Sequence, residues 1–247
     1  VRVLPGDAAA VRAGPYANQE LIDQIADKYG LNDPLHVQFV DYVSGVAQGD
    51  LGISIRTNQS VTRELLDRLP ASLELAVYSV VLATVVGVSL GVLSAHRQNT
   101  WVDRLSRIFA VVGSAMALFW LGLLLTFFFA FKWGWFPGPV DRLAVGSEDP
   151  GTFTGFYTID GILSGRPDIT MEAFRYLALP VITLAFVLAA PILKMVRSAM
   201  IEALDSDFVR TAKAVGVPRT QILFVDGFRN ALIPVTTTIG IVFGFML

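Results

Sequence analysis

One arrangement of residues is typical of covalent catalysis, a glycine–serine–glycine motif at residues 87–91 (GVSLG). In hydrolases this spacing forms a sharp turn between a strand and a helix, which exposes the serine as a nucleophile. Here the motif lies inside an apolar run that favours one continuous helix, and His96 would lie about 10 Å beyond Ser89 along it. That distance is too long for a nucleophile–base hydrogen bond, so a hydrolase site is not favoured. The glycines instead predict a small-residue contact between membrane helices, as do Gly240 and Gly244.

Other patterns for catalysis or metal binding are missing from the 247 residues. The sequence has no cysteine, and its only histidines are His36 and His96. A phosphate-binding loop needs a lysine directly after a glycine, and none of the four lysines follows one. We therefore expect no catalytic residue, metal site or nucleotide site in this chain, which by itself would not be an enzyme.

The composition indicates a membrane protein. Hydrophobic side chains make up 53% of the residues and charged ones 16%, whereas soluble domains have roughly 25% charged residues. The net charge of −2 excludes the basic excess of a nucleic-acid-binding protein. The high apolar content excludes a disordered chain.

Four apolar runs predict membrane-spanning helices at about residues 72–95, 108–131, 177–196 and 230–247. A hydrocarbon core of about 30 Å is crossed by about 20 helical residues. Prolines and glycines inside these runs are common where spans pack against other helices. The sequence therefore predicts an all-α, multi-pass membrane domain over residues 72–247.

The distribution of lysine and arginine predicts the orientation of these spans. Nine occur in the 48 residues of segments 96–107 and 194–229, against ten in the 116 residues of segments 1–71 and 132–176. Because short cytoplasmic loops are enriched in Lys and Arg, we expect the first two segments inside and the last two outside. The chain would then begin outside with Val1 and end within an apolar run. We therefore expect a piece of a longer protein, with at least one span before Val1.

The outer segments predict a folded surface on that side of the membrane. Residues 1–71 contain apolar residues at helical spacing over 19–29 and 35–47, which indicates a small helical cap. The second outer loop, residues 132–176, is rich in Gly, Pro and Asp. Glu74 and Lys194 are the only charges within or at the edges of the spans, and we expect both to reach the lipid headgroups.

The inner stretch of residues 197–229 predicts two short amphipathic helices joined by a turn. Leu204, Phe208, Ala212 and Val215 recur on one helical face. Gly216 is expected to cap that helix, and Pro218 prevents its simple continuation. A second short helix would begin near residue 222. The apolar face is small and contains alanine, which favours contact with a protein over lying on the membrane.

This inner stretch resembles the EAA loop of ABC importer permeases, in particular the oligopeptide/dipeptide permease B branch. The resemblance lies in residues 202–216 (EALDSDFVRTAKAVG) and 228–234 (FRNALIP). It extends to residues 5–7 (PGD), 29–35 (YGLNDPL), 49–54 (GDLGIS), 68–75 (RLPASLEL), 119–122 (FWLG) and 133–137 (WGWFP). Two departures stand out: Arg210-Thr-Ala212 occupies the Glu-Ala-Ala positions, and Ala117 stands where the branch generally has proline.

The resemblance implies a six-span type I ABC importer fold and a set of partners. These are a second homologous permease subunit, two cytoplasmic ATPase subunits that bind ATP and Mg, and an extracytoplasmic substrate-binding protein. The inner loop would be the coupling loop that contacts an ATPase. Its implied contact residues are Glu202, Asp205, Asp207, Phe208, Arg210, Thr211, Ala212, Lys213, Gly216, Val217 and Pro218.

The implied function is that of a bacterial inner-membrane subunit in an ATP-driven importer of di- or oligopeptides, forming half of the translocation pathway. An importer for nickel, glutathione or another small solute is the alternative within the same branch. A membrane-embedded enzyme or a channel is more remote, since no catalytic set is found and a channel has no need of a cytoplasmic coupling loop.

Overall fold

The computed structural model describes residues 9–10, 17–28, 30–54, 57, 59–139, 141–144, 146–147, 150–151 and 153–246. Of the segments that carry the family resemblance, residues 5–7 and Tyr29 lie outside this part of the chain. Contacts divide the chain into two units, residues 1–69 and residues 70–247. The described residues are helical or irregular, with a single antiparallel bridge between Ile53 and Ser60.

The first unit contains the two helices that the sequence predicts, α1 (Gln19–Lys28) and α2 (Leu35–Ala47). Asn18 begins α1 by accepting a hydrogen bond from the Leu21 backbone at 3.1 Å, as N-cap residues do. Between the helices, the buried Gln38 amide donates to the carbonyl oxygens of Leu31 and Asp33 at 3.1 and 2.7 Å. These bonds hold the turn that joins α1 to α2.

The second unit is built from long membrane helices and shorter connecting ones. In chain order the remaining helices are α3 (Val61–His96), α4 (Trp101–Ala115), α5 (Leu118–Leu125), α6 (Tyr157–Leu163), α7 (Pro167–Asp205), α8 (Asp207–Ala214), α9 (Arg219–Gln221) and α10 (Phe228–Met246). Helix α5 continues as a π-helical segment, Thr126–Lys132, and another, Ile222–Gly227, joins α9 to α10. Helix α3 begins in the first unit and continues into the second.

Three stretches in the described chain are long and apolar enough to cross a membrane: Val61–His96, Pro167–Asp205 and Ile222–Met246. The fourth predicted span, residues 108–131, is not one straight helix, because α4 and α5 meet at an angle of 107°. Met116 and Ala117 have extended backbone angles there, with ψ of 131° and 126°. Ala117 has a φ of −67°, close to the value that proline imposes. The backbone therefore bends at this position although the residue is alanine and not proline.

Helices α3 and α7 approach closely through the glycines of the GVSLG motif. A Cβ atom on Gly91 would lie 2.6 Å from Cβ of Val196, and one on Gly87 would lie 2.9 Å from Cβ of Ile192. Val196 and Ile192 are fully buried. The prediction that these glycines form a small-residue contact within a helix is confirmed. The same prediction for Gly240 and Gly244 finds no contact, since a Cβ on either would meet nothing within 4 Å in the described chain.

Candidate functional site

The stretch that the sequence predicts as the coupling loop, for which that name is kept, is centred on α8, an eight-residue helix that follows α7 after one residue. Ser206 ends α7 with an extended backbone, and its hydroxyl donates to the Ala203 carbonyl at 2.5 Å. At the other end, Gly216 has a φ of +83°, which disfavours other residue types. The Gly216 amide donates to Lys213 O at 3.2 Å, and the Val217 amide donates to Ala212 O at 3.0 Å. These two bonds form a Schellman cap, so α8 has a defined start and a defined end.

Helix α8 is anchored by a residue that the sequence pattern did not single out. Val209 is fully buried, whereas Phe208 is 43% exposed and Val215 74% exposed. The predicted face that joined Leu204 to these residues is wrong, because the break at Ser206 leaves Leu204 on α7. Leu204 packs against the main hydrophobic core there. The apolar residues of α8 and its C-cap, Val215, therefore divide into one anchor and a face that remains uncovered, which we call the uncovered face of α8.

The implied contact residues of the coupling loop are mostly exposed. Ala212 and Val217 are half-buried, and the exposed ones are Glu202, Asp205, Asp207, Phe208, Arg210, Thr211, Lys213, Gly216 and Pro218. Asp207 and Arg210 form an ion pair at 3.2 Å with both side chains open to solvent. Such a pair contributes little to stability, so its charges are available to a partner.

The segment that returns from α8 is continuous with the membrane helix. The predicted separate second helix near residue 222 is wrong, since Ile222–Met246 forms one helical stretch. Ile222 and Leu223 are buried, and a Cβ on Gly227 would lie 3.3 Å from Leu204 Cδ2. Leu223 belongs to the same hydrophobic core as the middle of α7 and α10. The base of the coupling loop is thus packed into the membrane helices.

A groove of about 830 Å³ lies between the coupling loop and the turn that joins α3 to α4. On one side it is lined by residues 95–98 and Thr100, and on the other by Leu204, Asp205, Lys213 and Val217. We call it the inner groove. The α3–α4 turn therefore lies opposite the coupling loop across the inner groove.

A buried carboxylate near this groove joins three helices, and sequence reasoning missed it. The Asp103 side chain has no exposed area, and Arg197 donates to its two oxygens at 2.8 and 3.2 Å. Ser94 Oγ donates to the same carboxylate at 2.6 Å, and the Asn99 amide donates at 3.1 Å. We call Asp103, Ser94 and Arg197 the inner clamp. It links the end of α3, the start of α4 and the last turns of α7.

A second buried carboxylate lies in the first half of α3. Glu74 is fully buried, so the expectation that it reaches the headgroups is wrong. Arg142 donates to it at 2.6 Å, and the Thr158 amide and hydroxyl donate at 3.0 and 2.6 Å. Arg142 also lies 3.7 Å from the centre of the Tyr157 ring. We call Glu74, Arg142 and Thr158 the outer clamp; it holds the second outer loop on α3.

Beside the outer clamp, Asp160 organises the same loop. Its buried carboxylate accepts hydrogen bonds from the Thr154 amide and hydroxyl at 2.9 and 2.7 Å and from the Gly155 amide at 2.9 Å. Burial alone raises the pKa of Asp160, but these hydrogen bonds outweigh it and hold the pKa below its usual value. The carboxylate is therefore a structural acceptor.

Neither clamp could be deduced from local spacing. One signal was present: charged residues beside membrane spans tend to be paired, and Asp103 is the sole acidic residue of segment 96–107. Lys194 is exposed and donates to Ser114 Oγ at 2.8 Å. Within the described part of the chain, no group of three His, Asp or Glu side chains could hold a metal ion.

Comparison with known proteins places the chain among transport permeases. A family model described as "Binding-protein-dependent transport system inner membrane component" matches residues 87–247, and one for the N-terminal part of such membrane components matches residues 1–76. A protein of Escherichia coli K12, described as a probable D,D-dipeptide transport system permease, is 41% identical over 99% of this chain and 72% of its own length.

Two further relatives match at full length of the chain. The dipeptide transport system permease protein of Alkalihalophilus pseudofirmus is 38% identical over 100% of this chain and 74% of its own length. The glutathione transport system permease protein of Escherichia coli O6:H1 is 34% identical over 100% of this chain and 71% of its own length. Together with the apolar helices, these matches identify the chain as a multi-pass member of the family of inner-membrane components of binding-protein-dependent transport systems.

Proposed function

We propose that this chain is the membrane-embedded subunit of an ATP-driven importer for di- or oligopeptides and that it forms half of the translocation pathway. Family membership supports the transport role, and the printed functions of relatives at 41% and 38% identity support a peptide substrate. The chain contributes no catalytic residue. ATP and Mg bind to partner ATPase subunits, which hydrolyse ATP.

The coupling role is supported by two features together: one face of α8 is uncovered, and the base of the coupling loop is packed against the membrane helices. Phe208 and Val215 are exposed although both are large and apolar, whereas Val209 anchors the helix. An uncovered apolar face beside the Asp207–Arg210 ion pair suits a protein groove with complementary charge. We assign this contact to the ATPase.

In this proposal the complex works by alternating access. A substrate-binding protein docks on the outer face and releases substrate into a cavity between this chain and a second, homologous permease. Closure of the two ATPases on ATP moves the coupling loops, which changes the side to which the cavity opens. The ATPase must contact α8 differently in its open and closed states, since only differential binding shifts a conformational equilibrium.

Gly216 provides a test of the coupling loop. A Cβ at Gly216 would meet nothing within 4 Å in the described chain, but its φ of +83° penalises a substituted residue. Gly216→Val should lose the cap, because a β-branched residue strongly disfavours this backbone region. Asparagine tolerates it, so Gly216→Asn is the matched control. Substrate imported per ATP hydrolysed, measured in proteoliposomes with all subunits, should fall about fivefold or more for valine and stay near wild type for asparagine.

A wild-type import-to-hydrolysis ratio in the Gly216→Val complex would contradict the proposal. The amount of assembled complex is measured in parallel, so that loss of assembly is not mistaken for loss of coupling.

Glutathione is the second candidate substrate, because a glutathione permease is 34% identical over the whole chain. Nickel and other small solutes remain the wider alternative within the same branch. Thermal-shift screening of the cognate binding protein against dipeptides, longer peptides, glutathione and Ni²⁺ distinguishes them. Stabilisation by peptides alone supports the peptide assignment, and stabilisation by glutathione or nickel alone contradicts it.

A further inference from the structure

The inner clamp lies on the helix that carries the coupling loop. Helix α7 runs without a break from Pro167 to Asp205, and only Ser206 separates it from α8. Arg197 is eight residues before the end of α7, about 12 Å along a helix. A force on α8 therefore reaches Arg197 through about two helical turns and the buried residue Met200.

From Arg197 the contacts continue into α3 and α4. Its guanidinium binds both oxygens of Asp103 on α4 and lies 3.1 Å from Ser94 Oγ on α3. A guanidinium that binds a carboxylate through two nitrogens fixes direction as well as distance. Asp103 is fully buried, so water does not replace a lost donor, and Arg107, 3.5 Å from the same carboxylate, lies on α4 itself and does not link it to α7. The clamp therefore fixes the orientation of α7 relative to the α3–α4 turn.

The two sides of the inner groove belong to the elements that the inner clamp joins. Gln98 and Thr100 of the α3–α4 turn line one side, and Asp205 and Lys213 at the coupling loop line the other. The inner clamp joins α3 and α4, which flank the α3–α4 turn, to α7, which leads into the coupling loop. Besides the clamp, α7 is joined to α4 by the Lys194–Ser114 hydrogen bond at 2.8 Å and by apolar packing, which has little directionality.

We infer that the Asp103–Arg197 pair is a positioning element of transport, which makes the α3–α4 turn move together with the coupling loop when the ATPases close. This inference rests on the proposed coupling function and adds the route by which the movement spreads from α7 to its neighbours. The groove then keeps its width through the ATPase cycle. A merely structural pair would support the fold without controlling how much import each ATP drives.

The first test exchanges the guanidinium while keeping its charge. Arg197→Lys retains the positive charge but cannot bind both carboxylate oxygens in the same fixed geometry. Arg104→Lys is the matched control, since it makes the same exchange at an exposed arginine of the same inner segment. In proteoliposomes with all subunits, we expect Arg197→Lys to hydrolyse ATP but import about fivefold less substrate per ATP. Arg104→Lys should keep the wild-type ratio.

The second test measures the distance across the inner groove, first in a complex whose clamp is unchanged. The chain has no cysteine, so Gln98→Cys and Ala214→Cys accept one spin label each, on the turn and on α8. In the complete complex the distance between the labels should be the same with and without ATP. With Arg197→Lys added, the distribution should broaden or depend on nucleotide.

The outcomes separate this inference from the proposed function. If Gly216→Val uncouples the complex and an assembled Arg197→Lys complex has the wild-type ratio, the clamp inference is overturned and the coupling role stands. If Gly216→Val has no effect, the coupling role itself fails. If the Arg197→Lys complex does not assemble, the distance between the labels is measured in the complex with an unchanged clamp. A distance that changes with ATP overturns the inference, and a distance that is the same with and without ATP supports it.

Discussion

The outer and inner clamps each pair a fully buried carboxylate with an arginine, but they join different parts of the chain. Glu74 of α3 is paired with Arg142 in the outer clamp, and Asp103 of α4 is paired with Arg197 in the inner clamp. The outer pair is completed by the amide and hydroxyl of Thr158 in α6, a short helix within the second outer loop. The inner pair is completed by the Ser94 hydroxyl of α3 and by the Asn99 amide of the α3–α4 turn. The outer clamp thus orders a loop, whereas the inner clamp fixes helices relative to one another at the base of the coupling loop.

The largest effect on stability is expected from a substitution in the outer clamp. Glu74→Ala leaves Arg142 without its carboxylate, and breaking a buried pair costs about 3–5 kcal/mol. We expect the outer loop to become sensitive to protease while coupling by the folded complexes is retained. Arg68→Ala is the control, because Arg68 is exposed and its pair with Glu64 is 3.9 Å long. Equal protease resistance of wild type and Glu74→Ala would contradict the assigned role of the outer clamp.

A smaller effect is expected where α3 meets α7 near the inner clamp. Gly91→Ala places a Cβ 2.6 Å from Val196 Cβ, and overpacking of this kind costs about 1–3 kcal/mol. In α5, a Cβ on Gly122 would lie at an ordinary 3.6 Å from Thr183 Cγ2, so Gly122→Ala is the matched control. Thermal unfolding of the purified complex should show a lower Tm for Gly91→Ala alone. A Tm unchanged by Gly91→Ala would show that the helices are not in close contact there.

Only some of the contacts behind these two predictions could be predicted from the sequence. Helix positions and the small-residue face of Gly87 and Gly91 followed from hydrophobic runs and residue size, which are local properties. The clamps did not, because Arg142 and Glu74 are 68 positions apart and Arg197 and Asp103 are 94 apart. A charge pattern indicates that a partner is needed but does not identify it.

The errors at the coupling loop have a similar cause. Leu204 and Phe208 fit one helical period, and nothing in that spacing reports the extended backbone of Ser206 between them. The bend at Ala117 was equally hidden, because alanine is compatible with a straight helix. The cap at Gly216 could be predicted because a glycine after a helical run has a specific backbone use.

A pH-dependent effect should appear in the second outer loop. Because hydrogen bonds lower the pKa of Asp160, its ionised form stabilises the folded loop above the usual Asp pKa of about 3.9. That contribution is lost as pH falls through the lower pKa of the folded state. Asp160→Asn should therefore lower the Tm at pH 7 and lower it less as the solution is made acidic. A Tm difference that grows toward acid pH would have the wrong sign for this account.

The smallest expected effect concerns the bend between α4 and α5. Ala117 already has a φ of −67°, and proline at a compatible position stabilises by about 0.4–1 kcal/mol. Ala117→Pro should therefore leave the Tm unchanged or slightly higher. Val111→Pro is the control within α4, where proline costs about 3 kcal/mol. A large loss of stability in Ala117→Pro would contradict the bend.

We propose that the uncovered face of α8 contacts an ATPase subunit, and thiol accessibility is a direct test of this contact. Val215→Cys introduces a single thiol at a residue that is 74% exposed in the isolated chain, and Trp135→Cys provides one on the outer side. The rate of modification by a water-soluble maleimide is compared with the ATPase subunits bound and after they are stripped from the membrane. We predict that the bound ATPases slow modification at residue 215 by about tenfold or more, a free-energy difference of about 1.4 kcal/mol, and do not change it at residue 135. Equal rates at residue 215 in the two states would contradict the claim.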